Sequence, residues 1–221
     1  MTVNGTTVKT LGTRALPTDR IRVDDRALPT RRDALHIVVN KPAGVVTTTK
    51  DPEGRPTILQ MLPSGLSRLF PVGRLDLQST GLVLLTNDGA LAAVLTHPRY
   101  HVPRTYRVKV SGAPDERALA RLRRGVRLDD GPTGPVEVTI EQRRPTKTWL
   151  RITVREGRNH LVRRLCEAVG HRVEKLQRVA IGPLALGKLP LGDFRPLTPR
   201  EIVALRRAAT AARRTVRQSR S

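Results

Sequence analysis

The chain has 221 residues, of which 38% are apolar, and this suits one large domain or one domain with a small appendage. It carries 41 basic and 19 acidic residues, a formal net charge of +22, so nucleic acid is the first expected partner and an anionic membrane the second. No apolar stretch reaches about 18 residues, no signal-peptide segment begins the chain, and a single cysteine excludes internal disulfides and clustered zinc sites. We therefore expect a cytoplasmic, nucleic-acid-associated protein, although composition alone slightly favours a basic structural protein of the ribosome.

In chain order, the first predicted elements are a short hairpin and a short strand with a turn. Residues 2–8 (TVNGTTV) centre on Asn-Gly, which suits a type I′ turn, and residues 21–28 (IRVDDRAL) indicate another strand and turn. This opening segment holds too few large apolar side chains to form a core of its own. Residues 29–33 (PTRRD) are typical of a linker.

Strand and helix patterns are interleaved after the linker. Short apolar or alternating runs predict strands within residues 35–44, 81–86, 105–112 and 149–156. Helical periodicity predicts helices over residues 90–97, 115–125, 159–170 and 198–214, with Asn159 and Thr198 as N-caps of the last two, and a broken helix or loop over 57–70. Hairpin-length links join many strands, so we expect an α+β fold with a mixed or antiparallel sheet rather than a doubly wound one.

The chain offers few starting points for catalysis. It has no nucleotide-binding glycine motif and no nucleophile elbow, and its five histidines are scattered, so we expect neither a cofactor nor a metal. In GRLDLQSTGLVLLTNDG (73–89), Asp76 and Asp88 bracket a strand of roughly 20 Å, too long for a glycosidase carboxylate pair about 5–9 Å apart. A catalytic Asp76 would therefore act alone among acids, as a nucleophile. Spacing alone favours an ordinary ion pair with Arg74 or a loop cap.

The stretch around Asp76 also resembles the signature of the RsuA/RluB family of ribosomal RNA pseudouridine synthases. Four further stretches resemble the same family in the same order: NKPAGVVTT (40–48), RTYRVKV (104–110), EGRNHLVRRLCEAVGH (156–171) and RVAIGPLALGKLPLGDFRPLTP (178–199). The resemblance covers roughly residues 33–206 and implies the pseudouridine synthase fold, a mixed, mostly antiparallel central sheet with flanking helices. It implies an isomerase that breaks the N1–C1′ bond of a uridine within RNA, turns the base and rejoins it through C5, without cofactor or metal.

The resemblance implies catalytic roles for three residues. Asp76 matches the catalytic aspartate, Tyr106 the tyrosine that stacks on the flipped uracil and can serve as a base, and Arg163 the arginine that pairs with the aspartate. The alternation of its strand also places Tyr106 on the apolar face, so a core tyrosine is an equal alternative. The helical wheel does not distinguish Arg163 from Arg164, and an ion pair of Arg163 with Glu167 is a further alternative.

The resemblance also implies RNA-contacting positions. Arg74 would fill the gap left by an extruded uridine, whose extrusion costs roughly a few kcal/mol, and would bind phosphate. Lys41 either touches phosphate or simply ends a strand. Val162 matches the apolar position that lines the base pocket, and Leu161 beside it stands where many relatives carry Gln or Glu. The other expected substrate-binding residues lie in the same blocks: Arg104, Arg158 and Asn159.

Three segments are expected along the chain. Residues 1–30 resemble the back half of a small RNA-binding domain of the S-four type without its helical front half, which implies a truncated domain. Residues 31–207 would form the catalytic domain and residues 208–221 a basic tail. We expect a monomer that acts on ribosomal RNA or a pre-ribosomal particle, with the large subunit favoured, and not on a membrane. A catalytically idle RNA-binding factor for ribosome assembly is the alternative function.

Overall fold

The structure is a computed structural model that describes residues 1–16, 18–28, 34–66 and 68–218, with side chains as far as residue 211. It separates into two compact units, Met1–Ala34 and Leu35–Ser221. The predicted linker, 29–33, and the boundary expected within it lie outside the described residues, as does the end of the tail, 219–221. None of the described helices is long and apolar enough to cross a bilayer.

The first unit contains a small antiparallel sheet. Its strands are β1 (Thr2–Val3), β2 (Thr6–Thr7), β3 (Ile21–Val23) and β4 (Arg26–Ala27), in the order β2-β1-β3-β4. Asn4 and Gly5 have φ of 50° and 85°, the left-handed pair that a type I′ turn requires. Asp24 and Asp25 turn the second hairpin with φ of 48° and 58°. The predicted hairpin is therefore confirmed, and the predicted strand and turn over 21–28 form a second hairpin.

The second unit is built on a large mixed sheet. Its strands, with the separate ribbon β9-β10, are β5 (His36–Lys41), β6 (Phe70–Pro71), β7 (Thr80–Thr86), β8 (Arg104–Ser111), β9 (Arg127–Leu128), β10 (Gly131–Pro132), β11 (Glu137–Arg143), β12 (Lys147–Val154), β13 (Val173–Ile181), β14 (Leu184–Ala185) and β15 (Phe194–Pro196). The main order is β11-β12-β8-β13-β7-β5-β15, and among the described pairs only β13 and β7 run parallel. This confirms the predicted α+β class with a mostly antiparallel sheet.

Helices cover both faces of this sheet. They are α1 (Gly89–Thr96), α2 (Glu116–Arg124), α3 (Leu161–Ala168) and α4 (Pro199–Gln218), and short 3₁₀ turns form at Ile58–Met61 and Pro98–Tyr100. Val83 and Leu85 of β7 belong to the apolar cluster that contains α2 and α3, whereas Leu82 and Leu84 belong to the cluster that contains α1 and α4. Strand β7 is thus buried on both faces, as its continuous apolar run predicts.

Strands β11 and β13 were not predicted from the sequence. Strand β13 lies in the middle of the sheet, between β8 and β7, yet it carries exposed Glu174 and Lys175. Its pairing with β8 shifts register twice, between Val173 and Lys175 and between Arg178 and Ala180. Such irregularities interrupt the two-residue alternation by which a strand is recognised in a sequence.

Side-chain caps begin three of the helices. Asp88 accepts a hydrogen bond from the Leu91 amide at the start of α1, and Asp115 accepts one from the Ala118 amide at the start of α2. The N-cap of α4 is Thr198, as predicted. Its hydroxyl accepts from the Glu201 amide at 3.2 Å, and the Glu201 carboxylate accepts from the Thr198 amide at 2.8 Å, which is a capping box.

The predicted N-cap of α3 is wrong. His160, not Asn159, occupies this position, and it does so with a left-handed φ of 50° and no side-chain bond to the helix. Asn159 and His160 both line a cavity beside the start of α3. These two residues therefore face that cavity instead of capping the helix.

Replacement of Glu201 with Gln is expected to lower the free energy of unfolding by about 1 kcal/mol at pH 7. The hydrogen bonds from Arg195, at 2.7 and 2.8 Å, and from Thr198 lower the pKa of Glu201 to about 2. A carboxylate with a depressed pKa stabilises the folded state above its ordinary pKa, and this stability is lost as the pH falls towards 2. Urea denaturation of both proteins at pH 7 and pH 3 should show a difference that shrinks at pH 3. An equal loss from Glu167→Gln, an exposed control on α3, would contradict this assignment.

Candidate active site

A cavity of about 520 Å³ opens beside the loop that precedes β7, strands β8, β12 and β13, and the start of α3. Such a volume lies within the range of small-molecule sites in proteins. Its lining residues come from five segments: Gly73, Arg74, Leu75, Asp76, Ser79, Thr96, Arg104, Tyr106, Val154, Glu156, Gly157, Arg158, Asn159, His160, Leu161, Val162, Leu176 and Arg178. The structure thus brings seven of the nine predicted site residues to one cavity; Lys41 and Arg163 do not line it.

Asp76 lies in the loop between β6 and β7, with 36% of its side chain exposed. His160 Nε2 lies 3.4 Å from one carboxylate oxygen, and the Ser79 hydroxyl donates to the other at 3.4 Å. Both contacts are long, so neither occupies the carboxylate strongly. The ion pair with Arg74 that spacing favoured is not formed among the described residues. The second carboxylate of the cavity, Glu156, is held by Arg158 and the Gly134 amide.

Buried polar groups hold the backbone on both sides of Asp76. The Thr47 hydroxyl donates to the Leu75 carbonyl at 2.9 Å and accepts from the Leu75 amide at 3.2 Å. Lys41, with no exposed surface, donates from Nζ to the Leu77 carbonyl at 3.3 Å. It also donates to the carbonyls of Pro42 and Val45, at 2.8 and 2.7 Å. Asp76 is therefore presented on a loop whose backbone is fixed.

The burial of Lys41 favours its structural role over a phosphate contact. Burial lowers the pKa of the Lys41 ammonium to about 8, although the charge of Asp76 opposes the shift. A group so enclosed cannot reach a nucleic-acid backbone without leaving three backbone carbonyls unpaired. The ending of β5 at Lys41 agrees with this view.

Tyr106, on β8, combines the two alternatives that the sequence left open. It is 9% exposed, lines the cavity, and also packs in the apolar cluster with Val108. At the start of α3, buried Leu161 and Val162 form the neighbouring apolar wall. This wall of the cavity is therefore apolar and has one aromatic ring.

The predicted ion pair between Arg163 and Asp76 is not formed in the described structure. Leu161 and Val162 face the cavity, and the next position of α3 turns towards β13, where the Arg163 guanidinium donates to the Val173 carbonyl at 3.4 Å. The alternative pair of Arg163 with Glu167 is not formed either. Arg164 instead pairs with Asp130 at 2.6 Å, a contact that lowers the pKa of Asp130 to about 2.

The rim carries most of the cavity's positive charge. Arg74 is exposed, and Arg158 pairs with Glu156 at 2.8 Å and with Asp130 at 3.2 Å. Arg104 is more enclosed and donates to the Leu95 carbonyl at 3.0 Å. Burial lowers the pKa of Arg104, and the nearby charge of Arg178 lowers it further, against an opposing effect of Tyr106.

His160 and Arg178 were missed as cavity residues by sequence reasoning. His160 lies within the block EGRNHLVRRLCEAVGH and Arg178 begins the last block, so each stood in a recognised stretch without a role. Among the described residues no cluster of His, Cys, Asp and Glu could hold a metal ion.

The chain is similar to several known proteins. The family model described as "RNA pseudouridylate synthase" matches residues 35–168. A protein of Aquifex aeolicus named "Uncharacterized RNA pseudouridine synthase" is 41% identical over 208 residues, covering 93% of this chain and 83% of that protein. "Ribosomal large subunit pseudouridine synthase B" of Bacillus subtilis is 39% identical over 210 residues, covering 94% and 85%. A solved structure titled "Crystal structure of pseudouridylate synthase" has a TM-score of 0.73 and 34% identity, covering 92% of this chain and 87% of its own. The chain belongs to the RNA pseudouridylate synthase family and is an RNA pseudouridine synthase.

Proposed function

We propose that this enzyme converts a specific uridine of large-subunit ribosomal RNA into pseudouridine, with Asp76 as its single catalytic carboxylate. The observation that carries the proposal is the position of Asp76 beside an apolar inner wall, without an arginine or lysine ion pair among the described residues. The name of the Bacillus subtilis relative supports the choice of the large subunit. The reaction is an isomerisation, so it needs no oxidant or reductant.

The inner wall of the cavity would bind the uracil base, and the rim would bind the rest of the RNA. Tyr106 would stack on the extruded uracil against Val162, while Arg74 at the mouth would fill the vacated place in the RNA. Arg104, Arg158 and Asn159 would contact the RNA backbone around the cavity. Arg163 has no catalytic role in this proposal, because its guanidinium is directed to the Val173 carbonyl.

The other segments would add RNA affinity. We assign the catalytic unit to residues 31–207, with a partial RNA-binding segment over 1–30 and a basic tail over 208–221, of which residues 208–218 continue helix α4. The formal charge of +22 suits this distribution, since phosphate contacts dominate the affinity of most RNA-binding proteins. The enzyme would act as a monomer.

The proposal is tested by mapping pseudouridine in both ribosomal RNAs of a strain that lacks this gene. We expect one large-subunit position to lose its pseudouridine, and wild-type protein but not Asp76→Asn to restore it. A lost position in the small-subunit RNA would contradict the choice of subunit. Unchanged maps, with a growth defect that Asp76→Asn corrects, would support the idle assembly factor instead.

Replacement of Tyr106 with Phe should separate stacking from proton transfer. The ring and its packing remain, so RNA affinity and stability should stay close to wild type. If the hydroxyl takes the C5 proton, single-turnover pseudouridine formation should fall by about 100-fold. Tyr106→Leu, which removes the ring as well, should be slower still. A Phe variant as fast as wild type would limit Tyr106 to stacking.

A further inference from the structure

Arg178 is the most buried charged residue that lines the cavity. It lies on β13 and is 1% exposed. The other buried residues that line the cavity are uncharged: Leu75, Ser79, Tyr106, Val154, Leu161, Val162 and Leu176. The exposed lining residues, including Arg74 and His160, lie at the mouth. Arg178 is therefore the one charged residue among the buried residues that line the cavity.

The hydrogen-bonding capacity of this guanidinium is only partly used. Nε donates to the Leu82 carbonyl at 2.8 Å and Nη1 donates to the Arg74 carbonyl at 3.2 Å, whereas Nη2 is buried with no partner. Arg178 forms no ion pair within the described part of the chain. An enclosed cation that lacks a partner is costly, and a buried donor left unpaired adds to the cost. Such a donor is explained if its acceptor arrives with the substrate.

The backbone of Arg178 is also tightly located. Strands β13 and β7 run parallel at this point, with Arg178 beside Gly81. A Cβ built on Gly81 would lie 2.3 Å from the Arg178 carbonyl oxygen, so the glycine permits an approach that no other residue allows. This approach fixes the backbone of Arg178, and the two carbonyl bonds hold Nε and Nη1 of its guanidinium.

We propose that Arg178 binds a carbonyl oxygen of the target uracil in the cavity and is a further catalytic residue. This inference rests on the proposed function. A phosphate is the other oxygen ligand that a guanidinium commonly takes. The apolar walls and Tyr106, however, suit a planar base whose carbonyl edge points into the cavity. The phosphates stay at the solvated, basic rim. Because Nη2 has almost no accessible surface, the guanidinium would shift slightly to meet the far edge of the base.

The contact would act when the glycosidic bond breaks. The electron pair of the N1–C1′ bond stays with the uracil ring, whose negative charge spreads onto the carbonyl oxygens. A cationic donor placed there before the reaction stabilises this charge. After the base turns, C5 joins C1′, C5 loses its proton and N1 gains one, so atoms and electrons balance. Arg178 itself transfers no proton in these steps, because guanidinium stays protonated.

The test combines a protein variant with a substrate change. RNA fragments carry uridine, 2-thiouridine or 4-thiouridine at the mapped target, because sulfur is a weaker hydrogen-bond acceptor than oxygen. Single-turnover rates are measured for wild type, Arg178→Met and the control Arg121→Met, an exposed arginine of α2 that bonds the Ala168 carbonyl. We expect one thio substitution to slow wild type and the control about 10-fold more than it slows Arg178→Met.

Equal thio effects in all three proteins would overturn the inference and leave the proposed function intact. A wild-type protein that makes no pseudouridine from the uridine fragment or from ribosomal RNA would overturn both. If Arg178→Met fails to fold, as a thermal unfolding scan would reveal, Arg178→Lys replaces it. Lys keeps the positive charge but lacks the two forked N–H donors of arginine. We therefore expect the thiouridine to slow Arg178→Lys less than it slows wild type, and an equal slowing would again overturn the inference.

Discussion

Asp76→Asn is expected to lower the rate of pseudouridine formation by at least about 10⁴-fold. Asn keeps the shape of Asp76 and can still accept a hydrogen bond from Ser79, but it lacks the anionic oxygen. The conformation of the loop should not change, because Thr47 and Lys41 hold it through backbone carbonyls and do not bond the Asp76 carboxylate. RNA affinity should therefore stay within a few-fold of wild type. A loss of activity with retained binding is the result that distinguishes chemistry from folding.

The measurement is the rate of pseudouridine formation, followed by carbodiimide modification and primer extension, together with filter binding of the same RNA. Asp88→Asn is a matched control at the other end of β7. Asp88 caps α1 through the Leu91 amide, and Asn is an equally good N-cap, so this variant should retain both activity and stability. Equal losses in the two variants, or an active Asp76→Asn protein, would remove Asp76 from the mechanism.

Gly81→Ala is expected to lower the free energy of unfolding by roughly 3 kcal/mol or more. Gly81 has φ of 107°, which an L-residue with a Cβ rarely adopts. The new Cβ would meet the Arg178 carbonyl oxygen at 2.3 Å and the Arg178 amide nitrogen at 2.7 Å. Both obstacles are backbone atoms, so relief requires β7 and β13 to separate. That parallel pair joins the two parts of the sheet on either side of the cavity.

Urea denaturation of Gly81→Ala measures this loss, with Gly89→Ala as the control. Gly89 begins α1, and a Cβ there would meet nothing within 4 Å. Ala in a helix is favoured over Gly, so the control should be more stable by about 0.5–1 kcal/mol. If Gly81→Ala is too unstable to purify, Gly81→Ser should also be too unstable to purify. A Gly81→Ala protein as stable as wild type would show that β7 and β13 are not held so closely.

Local patterns predicted much of the fold. Three features were predictable because they depend on residues adjacent in the sequence. They are the apolar run of β7, the Asn-Gly and Asp-Asp turns of the first unit, and the N-cap Thr198. Strand β13 was missed because its exposed charges and two register shifts hide its alternation. The N-cap of α3 was misplaced because the chain turns at His160 through a left-handed φ, which the sequence does not reveal.

The candidate site was less accessible to sequence reasoning. Spacing alone favoured an ion pair for Asp76, and only the resemblance pointed to catalysis. Arg178 could not be found by pattern, because its place in the cavity depends on the long-range pairing of β13 with β7. The direction of Arg163 depends on the neighbouring strand rather than on the periodicity of its helix.

Tritium release tests the central claim most directly. Ribosomal RNA labelled at C5 of uracil would be incubated with wild-type protein and with Asp76→Asn, both as naked RNA and in partly assembled large subunits. Pseudouridine formation must expel the hydrogen from C5, so we predict release by wild type alone, approaching one tritium for each target uridine. An absence of release from either substrate, while both proteins still bind the RNA, would contradict enzymatic function and favour the idle assembly factor.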